Sequence, residues 1–176
     1  MRLFMLISIV LFCQSAIFAQ NHTDIKTNVD NDGQLQFVLN LPNQEMNLNN
    51  YQNWFISIDE AISGNITQVN SKKLIYKGKT LVYLSKKPST FQTQMFFTLE
   101  ISQSDKGASC LMKDIHYKSL PEYGKQGTAS LLTQSCDWFA PKRLYRKSGK
   151  VRQINQNLMN SSTQVAEELL LSCLDL

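Results

Sequence analysis

The string LQFVLNLP, residues 35–42, alternates apolar and polar positions and ends at Pro42, which predicts a strand. The next stretch, NLNNYQNWFISIDEAISG, has a different period. Leu48, Tyr51, Phe55, Ile58 and Ile62 recur every three or four residues and predict a helix with one apolar face. Asn49 and Gln52 resemble a capping pair at its start, and Gly64 stops it. ITQVNSKKLIYKG and KTLVYLS read as two strands turning around Lys77-Gly78. FQTQMFFTLEISQ and ASCLMKDIHYKS read as two more, around SDKG.

From Leu120 to Lys150 no period is evident, so this stretch is expected to be a functional loop, a packed insertion or a mobile segment. A long helix follows, predicted from Val151 to Cys173, with Val151, Ile154, Leu158, Val165, Leu169 and Cys173 on one face. The polar string NSSTQ, 160–164, competes for backbone hydrogen bonds and marks a candidate break. Leu170, Leu171 and Leu174 point away from the stripe, so the end of this helix needs cover on a second side. The insertion at about 119–141, with Leu131, Leu132, Trp138 and Phe139, is expected to supply it, in a monomer rather than a homodimer.

The order is thus strand, helix, four strands, helix. Short connections make consecutive strands antiparallel, and two amphipathic helices suffice to cover one face of such a sheet. The expected class is α+β, with about five strands, in one domain over residues 34–176.

Upstream, MRLFMLISIVLFCQSAIFAQ places one basic residue, Arg2, before an apolar run from Leu3 to Phe12 and ends in small and apolar residues. This is the grammar of a secretory signal peptide, residues 1–19, cut after Ala19; the apolar run is too short to span a membrane. Phe12, where a small residue belongs, argues against lipid attachment at Cys13. An exported protein is expected, periplasmic or extracellular, without a transmembrane segment and with a polar lead over 20–33. Loss of Arg2 takes the formal net charge from +4 to +3, a mild balance that does not point to nucleic acid. Three cysteines remain, Cys110, Cys136 and Cys173. An odd number leaves at least one thiol unpaired within the chain. With only His22 and His116, and without C-x-x-C or H-x-x-x-H, a zinc site is not expected.

The WF of the first helix, the YKGK string, the FFTLEI…DIHY hairpin and the GKVRQINQNL helix, behind a Gln-terminated export signal, resemble an exported bacterial domain-of-unknown-function family. That family has a TBP-like fold, named for the curved sheet of the TATA-box-binding protein. The resemblance covers roughly residues 34–173. It implies a β-α-β4-α curved antiparallel sheet backed by two helices, and it implies no activity and no functional residues.

Candidate chemistry is sparse. CLMKDIHYK, 110–118, carries a cysteine, an aspartate and a histidine at alternate strand positions. A three-residue loop at SDKG, with Gly107 left-handed, would pair Ile101 with Leu111, Phe97 with Ile115 and Met95 with Tyr117. Cys110, Asp114 and His116 would then face away from the core. At about 3.3 Å per residue, Cys110 and His116 lie roughly 20 Å apart, too far for a nucleophile and its base.

NVDNDG, 28–33, matches the first positions of a calcium loop, but Leu39 stands where a bidentate Glu belongs, which favours a flexible polar lead. The segment 141–152 holds Lys142, Arg143, Arg146, Lys147, Lys150 and Arg152 beside Tyr145, a combination able to grip phosphate or simply to solvate a connection. YGKQGTAS, 123–130, lacks phosphate-loop spacing, and Asp59-Glu60 and Glu167-Glu168 are neighbours whose side chains diverge.

The expected function is a non-enzymatic binding or interaction module of the cell envelope. Its partner would be an envelope protein or an anionic surface ligand, not nucleic acid. No catalytic, cofactor-binding or metal residue is assigned, and no cofactor is expected. The alternative is a hydrolase assembled from Asp114 and His116 on the open sheet face and the 119–141 insertion.

Overall fold

A computed structural model of the chain describes residues 25–45, 47–58, 62–70, 72–87, 91–120 and 132–173. The predicted signal peptide lies outside the described residues. The elements in chain order are β1 (Lys26–Val29), β2 (Leu35–Pro42), α1 (Leu48–Ser57), β3 (Ser63–Asn70), β4 (Lys73–Tyr83), β5 (Gln92–Ser104) and β6 (Gly107–Ser119). Then follow β7 (Thr133–Gln134), two short helices, α2 (Cys136–Phe139) and α3 (Pro141–Leu144), and the long α4 (Gln153–Ser172). The α+β class and the antiparallel sheet are as expected. The described sheet has seven strands rather than five, in the order β1-β2-β6-β5-β4-β3, with β7 extending the far end of β6.

One additional strand comes from the lead expected to be flexible. Residues 26–29 pair with 35–38 of β2, and the intervening turn is held by the Asp30 carboxylate, which accepts from the backbone N–H of Asp32 (3.0 Å) and Gln34 (2.8 Å). The carboxylate of the calcium-like string is therefore a turn cap. Gly33, at φ +82°, closes the turn against α2–α3, where an added Cβ would sit 2.3 Å from the Ala140 nitrogen.

The turn expected at Lys77-Gly78 does not occur. β4 runs straight through it, and the hairpin to β3 closes before Lys73. Gly78 is in mid-strand for a packing reason: a Cβ there would meet the Phe97 and Tyr76 rings at 2.6 Å. Gly64 likewise belongs to β3, while α1 ends at Ser57. The N-cap of α1 is Asn47, whose side chain accepts from the Asn49 N–H at 3.1 Å.

The core lies between one face of the sheet and helices α1 and α4. Tyr51, Trp54 and Phe55 of α1 are buried, and Phe55 stacks on Tyr76 of β4 at 4.2 Å between ring centroids. From α4, Leu158, Ala166, Leu169, Leu170 and Cys173 join Leu35, Phe37, Leu39, Met95, Leu99 and Ile101 of the sheet. The break expected at 160–164 is absent. Ser162 and Thr163 donate to the carbonyls of Leu158 and Met159, both at 2.9 Å, and Ser162 accepts from the buried Tyr117 hydroxyl at 2.9 Å. The polar string is thereby absorbed by an interior contact. The apolar stripe of α4 begins at Leu158, because Val151 and Ile154 are largely exposed.

The β5–β6 register corrects the expected faces. The turn is tighter than expected, with Ser104 opposite Gly107, so Ile101 pairs with Cys110 and Leu99 with Met112. Cys110 and Met112 are fully buried, and Leu111 lies on the other face. A bulge then changes the phase: between Phe96 and Thr98 the pairing skips one position, and Asp114 takes the left-handed conformation at φ 52°. Beyond the bulge Ile115 and Tyr117 face the core, with Met95 opposite Tyr117 as expected.

Candidate functional site on the open sheet face

The sheet face away from the helices forms an open groove of about 1030 Å³. Register places its side chains in rows across three strands. Lys79, Phe96 and His116 form one row; Lys77, Thr98 and Lys113 the next; Ile75, Glu100 and Leu111 the third. Four lysines of this groove, Lys73, Lys77, Lys79 and Lys113, stand against two carboxylates, Glu100 and Asp114.

Glu100 is clamped from both sides, by Lys73 Nζ at 2.7 Å and Lys113 Nζ at 2.9 Å, and its side chain is only 16% exposed. The hydrogen bond from Lys73, reinforced by Lys113, holds its carboxyl below the ordinary value, and the bond to Glu100 raises Lys113. These three groups are structurally committed. Lys77 and Lys79 are exposed and make no ion pair among the described residues. Both stand on the β4 side of Phe96, Lys79 opposite it and Lys77 one row along, and Phe96 is half-buried on the groove floor.

His116 Nδ1 lies 2.6 Å from the Asp114 carbonyl oxygen. A carbonyl only accepts, so Nδ1 carries the proton and Nε2 is the free ring nitrogen. The bulge at Asp114 creates this contact, since it turns the carbonyl towards a residue two positions on. Asp114, His116 and Leu132 of the insertion do line one groove, as the hydrolase alternative required. The Asp114 carboxylate is not the group that orients the ring, and no hydroxyl or thiol is hydrogen-bonded to His116 among the described residues. Cys110 is on the opposite face, in the core. The described residues therefore contain no hydrogen-bonded nucleophile–base pair at this site.

The second basic feature is a tight turn. Tyr145 bridges Val151, Arg146 N–H donates to the Lys150 carbonyl at 2.8 Å, and Gly149 occupies the left-handed position at φ 76°. The six basic residues of 142–152 are all exposed and make no ion pair among the described residues. The described part of the insertion is packed, but its contacts are with the start of α4 rather than the end it was expected to cover, where Leu171 stays 45% exposed. Phe139 is in the core, and the Asn155 amide of α4 donates to the Trp138 carbonyl at 2.6 Å and the Arg143 carbonyl at 3.2 Å. Leu131 and Leu174 lie outside the described residues.

The lysine rows of the groove were missed in sequence because YKGK reads as a turn. Read as a strand, Lys77 and Lys79 sit two apart and share a face. No group of His, Cys, Asp and Glu able to hold a metal ion occurs among the described residues. No helix among them is long and apolar enough to cross a membrane.

No protein-family model matches the sequence, and no curated protein sequence does either. Two solved structures are similar in fold. One is a DUF4468 family protein from Bacteroides ovatus, 12% identical, with a TM-score of 0.58 over 81% of this chain and 84% of that one. The other is a TBP-like protein from Parabacteroides distasonis, 14% identical, with a TM-score of 0.56 over 84% of this chain and 94% of that one. At this identity the likeness is one of fold, and the resemblance read in the sequence holds at that level: the chain has the TBP-like α+β fold of these two bacterial proteins.

Proposed function

We propose that the chain is an exported, monomeric, non-catalytic binding module of the cell envelope whose open sheet face takes an anionic ligand. One observation carries this reading: Lys77 and Lys79 project beside an apolar floor at Phe96 without a carboxylate partner among the described residues. Elsewhere in the groove Lys73 and Lys113 are both held by the one carboxylate of Glu100, so the lysines without an ion pair in the groove are Lys77 and Lys79. A flat ring or acyl segment on Phe96 with an acidic group between the two ammonium groups suits that arrangement. TBP-like folds do not carry DNA binding with them, and an exported chain does not meet DNA as its ordinary partner.

The test is binding of fluorescent dextran sulfate, a polyanion probe, at low and high salt. Lys77→Ala with Lys79→Ala is expected to weaken binding roughly tenfold at low salt, with the difference shrinking as salt screens the contact. Loss confined to Arg146→Ala with Lys147→Ala would move the site to the basic turn. Tight binding unaffected by either pair would refute an anionic site on both surfaces.

A further inference from the structure

We propose that the basic turn at 142–152 is a docking surface for an anionic phospholipid bilayer. All six of its cations are exposed, and between Asp137 and Glu167 the chain has no acidic residue to neutralise them. Charge alone would suit any polyanion; the apolar side chains among the cations narrow the partner. Tyr145, Val151 and Ile154 are 46%, 39% and 45% exposed, three large apolar side chains in the stretch that holds the cations. Elements that lie in a membrane interface share this composition. Their basic groups meet headgroup phosphates, while aromatic and branched side chains enter the boundary with the acyl chains. A soluble polyanion offers those apolar side chains nothing.

The backbone holds the turn ready for such a surface. Tyr145 and Val151 stand opposite one another across an antiparallel bridge, so their side chains share one side. Gly149 N–H donates to the Arg146 carbonyl at 2.9 Å, and Arg152 N–H donates to the Leu144 carbonyl at 2.8 Å. With the bond from Arg146 to Lys150, these fix the tip without help from its side chains. At its foot α4 begins on Arg152 as N-cap, with no side-chain cap and no acidic residue in the first turn. A cation there adds to the positive end of the helix dipole, and an external anion relieves both. A cleft of about 340 Å³ opens beside it, lined by Thr133, Trp138, Arg143, Arg152 and Asn155, with Asp137 its single carboxylate. A headgroup phosphate entering this cleft meets two guanidinium side chains.

The turn and the lysine groove are different surfaces, and the experiment keeps them apart. The chain recovered from an exporting bacterial host, its N-terminus read by intact mass, is floated with two kinds of vesicle. One is phosphatidylcholine alone; the other is equal parts phosphatidylcholine and phosphatidylglycerol. A retained leader would add the same partition to every variant, so the readout is the difference between vesicles and between variants. The parent should favour the anionic vesicles, less so as salt rises. Arg146→Gln with Lys147→Gln, at exposed positions, should lower that partition roughly thirtyfold at low salt. Ile154→Gln should lower it roughly fivefold and leave dextran sulfate binding unchanged. Tyr145→Ser takes its place if circular dichroism shows that variant unfolded. Lys77→Ala with Lys79→Ala should leave vesicle partition as in the parent, so failure of the groove reading would not touch this one. Equal partition of the parent between the two vesicles, or loss with the groove pair and not the turn pair, would overturn the proposal. A fall with the charge pair but not with the apolar variant would make the turn a general polyanion patch and overturn it too.

Discussion

Phe139→Ala tests whether the segment after residue 131 is part of the folded core or a loop laid on it. Phe139 is 1% exposed and meets Tyr117 edge-on, with ring centroids 6.1 Å apart and planes at 84°. Its position is set by backbone contacts on both sides. Ser135 N–H donates to the Ile115 carbonyl at 3.0 Å, Ser135 Oγ accepts from Leu35 N–H at 3.1 Å, and Asn155 holds the Trp138 carbonyl. The site is thus framed by β2, β6 and α4 and has little freedom to collapse. Removing the ring forfeits its transfer energy and leaves a cavity, a combined cost of about 4 kcal/mol. In urea, with a slope of roughly 2 kcal/mol per molar for a chain of this size, the midpoint should fall by about 2 M. Leu132→Ala is the control: Leu132 is 54% exposed, and its loss should change stability by under about 0.5 kcal/mol. Both are measured by equilibrium urea unfolding followed by far-ultraviolet circular dichroism, which does not depend on the neighbouring Trp138. Equal, small effects for the two variants would show that α2 is not seated in the core.

Three further outcomes follow from the register and the groove. Met112→Asp places a carboxylate in the core and should cost about 4 kcal/mol, whereas Leu111→Asp, on the open face, should cost under about 1 kcal/mol; the reverse order in urea unfolding would mean the faces are exchanged. Asp114→Val forces a branched side chain into a left-handed backbone and should lose about 2 kcal/mol, while Asp114→Gly should stay close to the parent protein; tolerance of valine would argue against the bulge. Because the folded carboxyl of Glu100 titrates below its unfolded value, its contribution is present above the unfolded value and disappears as pH falls through the folded one. Glu100→Gln should therefore lower neutral-pH stability by about 1 kcal/mol, a modest figure because the lysines are partly solvated, and flatten the acid limb of the stability profile. An unchanged acid limb would show the clamp to be energetically idle.

Period and turn chemistry were enough to determine the class of this protein, the helices about residues 48 and 158, and most of the sheet, because each element repeats a local pattern that its own backbone geometry dictates. The resemblance carried by short strings pointed to the same fold. Only tertiary structure decided the rest. A strand tolerates Gly78 because the rings of Phe97 and Tyr76 fill the place of its missing Cβ, and no local pattern distinguishes that glycine from one in a turn. Cys110 faces inward because a tighter turn at 105–106 and a bulge at Asp114 shift the phase of β6 twice. In a period-two element one residue of slip exchanges the faces, so the register had to be set by packing across strands. Ser162 stays within an unbroken helix because Tyr117, 45 positions earlier, reaches its hydroxyl. The groove of lysines exists only because three strands bring together residues that are individually ordinary surface charges, and charge complementarity becomes chemistry only when side chains share a face.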